Sequence, residues 1–407
     1  MRKLFTAIAV AIVLSPPAWA TNGMRMIGFG PVQNAMGGVG VAVPLDASVL
    51  VTNPAGIAAL APRLDLAGQA FMPSVEYDAV WTPDGSTMMP ASQESDRPTD
   101  LLPTIASVYR VQDRLTVGVA ALGTAGMGVE YEKGNPAVAG SAGLYASRTY
   151  TSYVNGRLAP AVAYRVTDQL AIGLAANVMY SQMAWEVADA MGGPKHETAG
   201  SLGFGATVGL TWQPTPMVTV GAAYETRSFF QDFEFQIAGQ TQALEFDQPM
   251  VATVGVAVRP VGGLVVALDG QWINWSDTMG EKLPKWSSNP LGEGDWNMNW
   301  SDQFVVKLGA EYAIPSLQAL RVRAGWNWGQ TPLDEARAFE NVAFPAIAEH
   351  HFTVGAGYEF GKWGVNFAAV YSPEASLKGS NPLEQGIVSY ESRMSQLAFE
   401  LGGAYRF

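Results

Sequence analysis

From Arg63 onward, hydrophobic and polar positions alternate along the chain with a period of two. In segment 169–181, large apolar side chains occupy every second position, and mostly alanine, glycine and asparagine lie between them. The same contrast recurs in 202–212, in 304–312 and in later segments up to the C-terminus. A period of two places neighbouring side chains on opposite faces of a β-strand. The repeated pattern predicts transmembrane strands with one face towards lipid and one towards a lumen.

The connections between these segments alternate between short and long. The short turns are 111–114, 166–169, 213–216, 260–263, 314–319 and 361–362. The long polar or aromatic loops lie near 79–100, 132–147, 187–198, 227–247, 277–300, 329–348 and 374–392. Six short and seven long connections join about fourteen strands, with short turns on the periplasmic side. The fold class predicted is all-β, a transmembrane antiparallel β-barrel of about 14 strands over residues 63–407.

A secreted β-sandwich or propeller is the soluble alternative, because its strands also alternate. Its outer faces would be polar and charged, whereas here the face opposite the apolar one is mostly glycine, alanine, serine, threonine and asparagine. Aromatic residues also gather at the strand ends, as in the interfacial girdles of membrane proteins. These girdle candidates are Tyr109, Tyr164, Trp212, Tyr224, Tyr312, Tyr358, Phe360, Trp363 and Tyr405. Both features favour the barrel.

Residues 1–20 read as a secretory signal peptide. Arg2 and Lys3 form a basic start, 4–14 is the apolar core, and 18–20 is a small-x-small cleavage site. No window later in the sequence has the roughly 18 uninterrupted apolar residues that a membrane helix needs. The predicted location is therefore the outer membrane of a Gram-negative cell, with its lipids around the barrel.

The composition excludes several classes of function. The 407 residues are 48% hydrophobic and 15% charged, and they include no cysteine, so disulfides and thiolate metal sites are absent from the sequence. The net charge is −12, and removal of Arg2 and Lys3 with the signal peptide takes it to −14. A chain this acidic is not expected to bind nucleic acid.

Segment 34–56 differs from both the signal and the strands. It reads NAMGGVGVAVPLDASVLVTNPAG, and its small residues allow close backbone approach. Proline after Asn53 breaks local structure, because Pro54 lacks an N–H and restricts the residue before it. A dinucleotide loop is the first alternative, but no apolar strand precedes the glycines and the third glycine is missing. A flexible linker is the second, but the segment is too rich in valine and leucine for a solvated tether.

The Gly-Gly-x-Gly-x-Ala, Asp-Ala-Ser and Asn-Pro-Ala-Gly elements of this segment resemble the N-terminal hatch of the FadL (OmpP1/FadL/TodX) family. That resemblance implies an outer-membrane channel of fourteen strands for long-chain fatty acids or other hydrophobic compounds. It also implies that residues 21–62 form a hatch of short helices plugging the lumen, with Asn53, Pro54 and Ala55 as its motif. The C-terminal Phe407 resembles the recognition signal read by the barrel-assembly machinery.

Glycines interrupt the predicted third strand. Gly123, Gly126 and Gly128 weaken a β-ladder and favour a bulge or an inward bend. In the FadL family the third strand carries an inward kink that opens a gap in the wall, and this run resembles it. Ordinary glycine packing in a crowded barrel is the alternative.

Arg157 and Lys307 are the candidate contacts for a ligand carboxylate. Both fall on the small-residue phase of their strands, so both should face the lumen. The alternative for either is an ion pair in the lumen wall. The acids considered as partners are Glu225, Asp269, Glu311 and Glu400.

Tryptophans concentrate around one predicted outer loop. Exposed tryptophans on a loop indicate ligand or membrane contact, and packing of the loop on the barrel rim is the equally weighted alternative. Met88 and Met89 lie in another loop. The candidate capture residues are Trp272, Trp275, Trp286, Trp296 and Trp300.

The sequence shows no sign of catalysis. The three histidines are His196, His350 and His351, and adjacent residues of a strand point to opposite faces, so the last two would not share a metal. Nucleophile-elbow, phosphate-loop and HExxH motifs do not occur. We therefore expect no enzyme, no metal and no cofactor. The predicted function is passive uptake of long-chain fatty acids or aromatic hydrocarbons by lateral diffusion through the wall, and the alternatives are a surface adhesin or receptor and a general porin.

Overall fold

The computed structural model describes residues 22–82, 86–97, 99–131, 149–188, 194–237, 239–286, 297–317, 319–379 and 387–407. The predicted signal peptide, residues 1–20, lies outside these ranges. So does Trp296 of the predicted capture loop.

The described chain is built mainly of β-strands, with a few short helices. The helices are α1 (Gly30–Asn34), α2 (Val49–Thr52) and α3 (Ser276–Met279), with 3-10 turns at Pro54–Ala59, Pro315–Leu317 and Glu335–Arg337. The strands are β1 (Arg63–Trp81), β2 (Met89–Glu94), β3 (Asp100–Gln112), β4 (Leu115–Met127), β5 (Glu130–Tyr131), β6 (Thr149–Arg165), β7 (Leu170–Ala188), β8 (Pro194–Thr215), β9 (Val218–Glu225), β10 (Phe229–Phe230), β11 (Phe233–Ile237), β12 (Gln240–Glu245), β13 (Val251–Val258), β14 (Leu264–Ile273), β15 (Lys285–Trp286), β16 (Gln303–Ala313), β17 (Leu320–Gly329), β18 (His350–Phe360), β19 (Trp363–Gly379) and β20 (Ile387–Arg406). Among the described residues, every helix is too short or too polar to cross a membrane.

Fourteen of these strands form a closed antiparallel barrel, as predicted. Their order around the wall is β1, β3, β4, β6, β7, β8, β9, β13, β14, β16, β17, β18, β19 and β20. The last strand pairs with the first along its length, from Arg63 opposite Arg406 to Trp81 opposite Ile387. Closure removes the two sheet edges that would otherwise leave backbone N–H and C=O groups unpaired in lipid.

The alternation predicted from the sequence matches the alternation of outward-facing and inward-facing side chains in the barrel wall. On β7, Ile172 and Leu174 are 47% and 49% exposed on the outer surface, whereas Ala171 and Ala175 face inward and are buried. The outer surface also carries the aromatic residues at the strand ends. Several strands extend past the predicted loop boundaries: β8 begins at Pro194 and β19 runs to Gly379. Beyond the bilayer, strands can continue with polar residues on both faces, and alternation no longer marks them.

Residues 22–62, the described part of the predicted hatch, lie inside the barrel with their backbone against glycines of the lumen wall. A Cβ atom added to Gly209 would lie 2.0 Å from Asn53 Oδ1, and one added to Gly221 would lie 2.0 Å from the carbonyl oxygen of Val41. Real Cβ atoms essentially never approach other atoms within 3.0 Å. The small residues of the lumen face therefore leave the room that the hatch backbone occupies.

The outer end of the barrel is closed by folded loops. The β11–β12 hairpin and β15 form a separate three-stranded sheet. Its apolar face, including Phe233, Phe235 and Leu244, is buried in the same cluster as Phe344 of the loop between β17 and β18. At the opposite end, Phe407 is 59% exposed and donates its N–H to the Pro62 carbonyl oxygen. Its part in barrel assembly stays a prediction.

Candidate functional site

The third barrel strand, β4, separates from its neighbour β3 partway along the wall. The β3–β4 ladder ends at Thr104 opposite Leu122, although the ladder between β1 and β3 continues to Asp100. On its other side β4 stays paired with β6, with a register shift between Gly123 and Ala125. The ladder between two barrel strands therefore has a break beside these glycines, and their role in a lateral gap stays a prediction.

The start of the hatch occupies the edge of β4 that this break releases. The Met26 N–H donates to the Thr124 carbonyl oxygen at 3.1 Å, and the Gly126 N–H donates to the Met24 carbonyl oxygen at 3.0 Å. Arg25 and Ala125 form the bridge between these two bonds. Residues 24–26 thus add a short strand to β4, which satisfies backbone groups that β3 no longer satisfies.

One side chain from β3 covers the break from the neighbouring strand. A Cβ atom on Gly123 would lie 3.0 Å from Leu102 Cδ2, and Leu102 is buried. Just after the end of β4, Gly128 has φ of +155°, and a Cβ atom added there would lie 2.2 Å from the Thr151 carbonyl oxygen. A side chain at Gly128 would be strained by this φ as well as by the contact. The two glycines therefore have different roles. Gly123 leaves space for the Leu102 side chain, and Gly128 allows a backbone conformation that other residues rarely adopt.

An ion-pair cluster fastens the N-terminal segment to the lumen wall. Arg25 Nη2 lies 2.9 Å from Glu225 Oε2, and Arg157 Nη2 binds the other oxygen of the same carboxylate. Lys307 Nζ donates to the Ile27 carbonyl oxygen at 2.9 Å. A cavity of about 30 Å³ beside them is lined by Arg25, Glu225 and Lys307, and it has room for one or two water molecules.

Both predicted carboxylate contacts therefore face the lumen, and both are engaged. Arg157 is 1% exposed and lies against Glu225, the ion-pair alternative considered from the sequence. Lys307 is opposite Asp269 in the β14–β16 register and holds the hatch backbone. Their role towards a ligand stays a prediction.

Above this cluster the lumen is apolar and filled by side chains. Met24 and Met26 belong to a buried cluster with Tyr153, Trp185 and Phe344. The rings of Trp185 and Phe344 meet edge to face with centroids 5.5 Å apart. Thr151 Oγ1 donates to the Ala343 carbonyl oxygen at 2.8 Å, which ties the inward-folded loop to the wall. An apolar ligand that entered here would have to displace some of these side chains.

The tryptophans of the predicted capture loop do not share one environment. Trp275 and Trp300 are 0% and 1% exposed, so these two are packed inside the protein, as the alternative of loop packing expects. Their rings pack edge to face at 5.1 Å, and the Trp300 Nε1–H donates to Asn341 Oδ1 at 2.7 Å. Trp272 and Trp286 are partly buried, whereas Met88 and Met89 are exposed. The loop folds over its own tryptophans, and a role in ligand capture stays a prediction.

The hatch motif makes the contacts that hold the hatch in the lumen. Asn53 is extended, as expected before proline, and its Oδ1 accepts a bond from the Ala55 N–H at 3.1 Å. Its Nδ2 donates to the Val41 carbonyl oxygen at 2.6 Å and to the Leu210 carbonyl oxygen at 3.0 Å. The single Asn53 side chain thus links two hatch segments to the barrel strand β8.

A second buried group of the hatch is the Asp46 carboxyl. Burial raises the pKa of Asp46 to about 6, and the nearby Asp65 carboxylate adds to the increase. Arg63 and the hydrogen bond from Ser48 act in the opposite direction. Asp46 Oδ1 accepts bonds from the Ser48 N–H at 3.1 Å and from the Ser48 hydroxyl at 2.5 Å.

Sequence reasoning did not select Met24, Arg25 or Leu102, although all three lie at the break in the wall. Arg25 is the one of these that carried a signal, since it is a cation among apolar residues at the start of the mature chain. Its partner Glu225 lies 200 residues away, and nothing local connects the two. No group of three or more histidine, aspartate or glutamate side chains able to hold a metal occurs within the described ranges.

The chain was compared with known proteins. A sequence model of the family described as "Outer membrane protein transport protein (OMPP1/FadL/TodX)" matches residues 26–407. The chain is 24% identical to outer membrane protein P1 of Haemophilus influenzae over 384 residues, which are 84% of this chain and 76% of that protein.

Solved structures share its fold at low sequence identity. A Pseudomonas aeruginosa FadL homologue superimposes with a TM-score of 0.74 and 16% identity, covering 95% of this chain and 100% of that one. The P. putida toluene transporter TodX gives 0.72 and 18%, covering 94% and 99%. Because the family model spans nearly all of the described chain, the chain belongs to the OmpP1/FadL/TodX family of outer-membrane transport proteins.

Proposed function

We propose that this protein is a passive channel through which hydrophobic compounds, long-chain fatty acids or aromatic hydrocarbons, cross the outer membrane. Substrate enters from the outer loops, reaches the apolar lumen around Met24 and Met26, and leaves sideways between β3 and β4. No cofactor and no catalysis take part. The observation that carries the proposal is the end of the β3–β4 ladder at Leu122, with residues 24–26 lying in the break.

A sideways exit suits the energetics of an apolar solute. Burial of each methylene group is worth about 0.8 kcal/mol, so a long tail that reached the periplasm would lose that amount for every group exposed to water. Exit into the membrane keeps the tail out of water. The hatch also blocks the direct route, since Asn53 joins it to β8 in the lumen. The solved structures of toluene transporters with this fold are consistent with apolar cargo.

In this proposal residues 24–26 act as a removable strand. They are joined to β4 by two backbone hydrogen bonds and to the wall by Arg25, and Lys307 holds the next residue, Ile27, whereas a barrel ladder has many more bonds. A substrate that displaced this segment would uncover the break beside Leu102. The same displacement would free Lys307 from the Ile27 carbonyl oxygen and remove Arg25 from the Glu225 carboxylate that Arg157 binds, which is the state in which Arg157 or Lys307 would meet a ligand carboxylate.

A reversible cross-link tests this directly. Arg25 and Ala125 are a bridged pair, so cysteines at both positions lie within disulfide reach, and the native chain contains no cysteine to interfere. We expect the oxidised Arg25→Cys/Ala125→Cys variant, reconstituted in liposomes, to take up no fluorescent fatty acid and no toluene. Addition of reductant should restore uptake in the same sample. Equal uptake before and after reduction would refute the removable strand.

Filling the gap tests the lateral route separately. Gly126→Trp should stop uptake, and Gly270→Trp is the control, because Gly270 is exposed and no atom lies within 4 Å of its added Cβ. Heat-dependent migration on gels checks that both variants form barrels. Undiminished uptake by Gly126→Trp would exclude a lateral exit at this strand. A steady ion current through the unmodified protein would instead favour the porin alternative.

A further inference from the structure

Several polar atoms in a group of buried side chains on one side of the lumen have no hydrogen-bond partner among the described residues. Asn327 on β17 and His351 on β18 are directly opposite each other, and both are 0% exposed. Gln396 on β20 is 3% exposed, and Asn22 of the hatch is 1% exposed. Asn22 Oδ1 is 2.9 Å from the place of a Cβ on Gly329, two residues beyond Asn327 on the same face. These four side chains, which we call the neutral cluster, come from three wall strands and the N-terminal segment.

Seven polar atoms of the neutral cluster lack a hydrogen bond to any described residue. They are both side-chain polar atoms of Asn22, Asn327 and His351, and Oε1 of Gln396. Gln396 lies close to the His351 ring, and its Nε2 donates to Met394 Sδ at 3.1 Å, which leaves its Oε1 without a partner. Buried polar groups in proteins are almost always bonded, because leaving them dry costs free energy. The neutral cluster is therefore suited to a partner from outside the chain.

The surroundings of the cluster are apolar. Along β20, Gln396 lies between Met394 and Ala398 on the lumen face, and both belong to the large apolar cluster that contains Met24. A few polar groups in a mostly apolar wall are the usual composition of a site for a small, largely hydrophobic ligand. The part of such a ligand that meets Asn327 and His351 would be its polar group.

The charges of the lumen favour an uncharged polar group over a carboxylate. Arg25 and Arg157 share Glu225, and Arg323 Nε lies 2.8 Å from Glu311 Oε2. Lys307 is bound to a hatch carbonyl oxygen. A carboxylate would have to take one of these cations from its present partner. A hydroxyl or carbonyl group would instead find donors and acceptors already waiting in the neutral cluster.

We propose that Asn327, His351 and Gln396 form a subsite that hydrogen-bonds the hydroxyl or carbonyl group of an otherwise apolar, uncharged substrate. Asn22 occupies part of this subsite until the N-terminal segment moves. The inference rests on the proposed function and specifies its substrate class, neutral amphipathic compounds such as phenols, alcohols and ketones in preference to carboxylates.

The test uses three probes with the same ring and methyl group: toluene, 4-methylphenol and 4-methylbenzoate. Binding to the purified full chain in detergent is measured by titration calorimetry. We expect 4-methylphenol to bind at least tenfold more tightly than 4-methylbenzoate. Asn327→Val should weaken 4-methylphenol about tenfold and leave toluene unchanged. The matched control is Asn177→Val, because Asn177 is equally buried on β7 but already bonded to Thr207.

Each outcome decides the inference. If all three probes fail to bind while the fluorescent fatty acid is still taken up, the subsite is refuted and the proposed function stands. If the fatty acid is not taken up either, the proposed function fails and takes the subsite with it. If toluene binds but 4-methylphenol binds no better, or if Asn327→Val weakens both equally, the cluster holds only water and the subsite alone is refuted. Should Asn327→Val fail to form a heat-modifiable barrel, Gln396→Leu on a different strand takes its place with the same expected loss. Tighter binding of 4-methylbenzoate would overturn the preference for uncharged groups.

Discussion

Replacing Gly209 with alanine should release the hatch while leaving the barrel intact. The added Cβ would lie 2.0 Å from Asn53 Oδ1, whereas ordinary contact begins at 3.4 Å, so the oxygen must move by about 1.4 Å, the difference of these two distances. Gly209 is paired within the β7–β8 and β8–β9 ladders, so the wall cannot retreat easily. The Asn53 side chain of the hatch has to move instead.

The size of the effect follows from the bonds that Asn53 makes. Movement of its amide by more than 1 Å disrupts the bonds to the carbonyl oxygens of Val41 and Leu210 and the bond from the Ala55 N–H. Each such bond contributes about 1 kcal/mol net, so the docked hatch should lose about 3 kcal/mol. That loss corresponds to a change on the order of 100-fold in the ratio of docked to released hatch.

The assay is the ion current of single barrels in a planar bilayer. Gly209→Ala should show open events on the order of 100 times more often than the unmodified protein. Gly270→Ala is the control, since its Cβ would meet no atom within 4 Å. Asn53→Ala should open the hatch as well, and adding Gly209→Ala to it should have little further effect, because the two changes remove the same bonds.

Two results would refute this reasoning. A Gly209→Ala barrel as quiet as the Gly270→Ala control would mean that the hatch does not depend on the Asn53 contacts. Fully additive effects of Gly209→Ala and Asn53→Ala would mean that the glycine acts through some contact other than Asn53.

Three further predictions concern other groups of the hatch and wall. Because the pKa of Asp46 is raised to about 6, protonation favours the docked hatch, and its stability falls as pH rises from about 4 to about 6. Open events should therefore be about tenfold more frequent at pH 7.5 than at pH 5, and Asp46→Asn should abolish this dependence; an unchanged pH profile in the variant would contradict it. Gly128→Ala should lower barrel yield in refolding, unlike Gly270→Ala, because of its φ of +155° and the nearby Thr151 carbonyl oxygen. Trp300→Phe should lower the free energy of unfolding by about 1 kcal/mol in urea titrations, by losing the bond to Asn341, and no loss would show that bond to be unimportant.

Much of the wall follows from local pattern. A strand exposes alternate residues to lipid and lumen. A few neighbouring positions are therefore enough to assign large residues such as Ile172 to the lipid face and small ones such as Ala171 to the lumen face. The alternation of short turns and long loops is also visible in the local sequence. Counting these connections predicted fourteen strands. The same logic separated His350 from His351, which are exposed and buried respectively.

The candidate site depends on contacts between residues that are far apart in the sequence. The neutral cluster joins Asn22 to a strand more than 300 residues later, and Arg25 meets Glu225 across 200 residues. Such partners become neighbours only when the barrel closes and the hatch enters it. The sequence left exposure and packing equally open for the loop tryptophans, because whether Trp275 and Trp300 meet water depends on where a distant loop folds.

The sequence by itself determined a two-sided wall of fourteen strands, because residue spacing of two and the alternation of turns and loops are local patterns. It also predicted a plug of small residues and an irregular third strand from patterns a few residues long. Only the tertiary structure decided what fills the irregularity and which cations are engaged. Residues 24–26 complete the edge of β4 because closure of the barrel brings the start of the hatch beside it, and backbone groups left open by β3 must find partners.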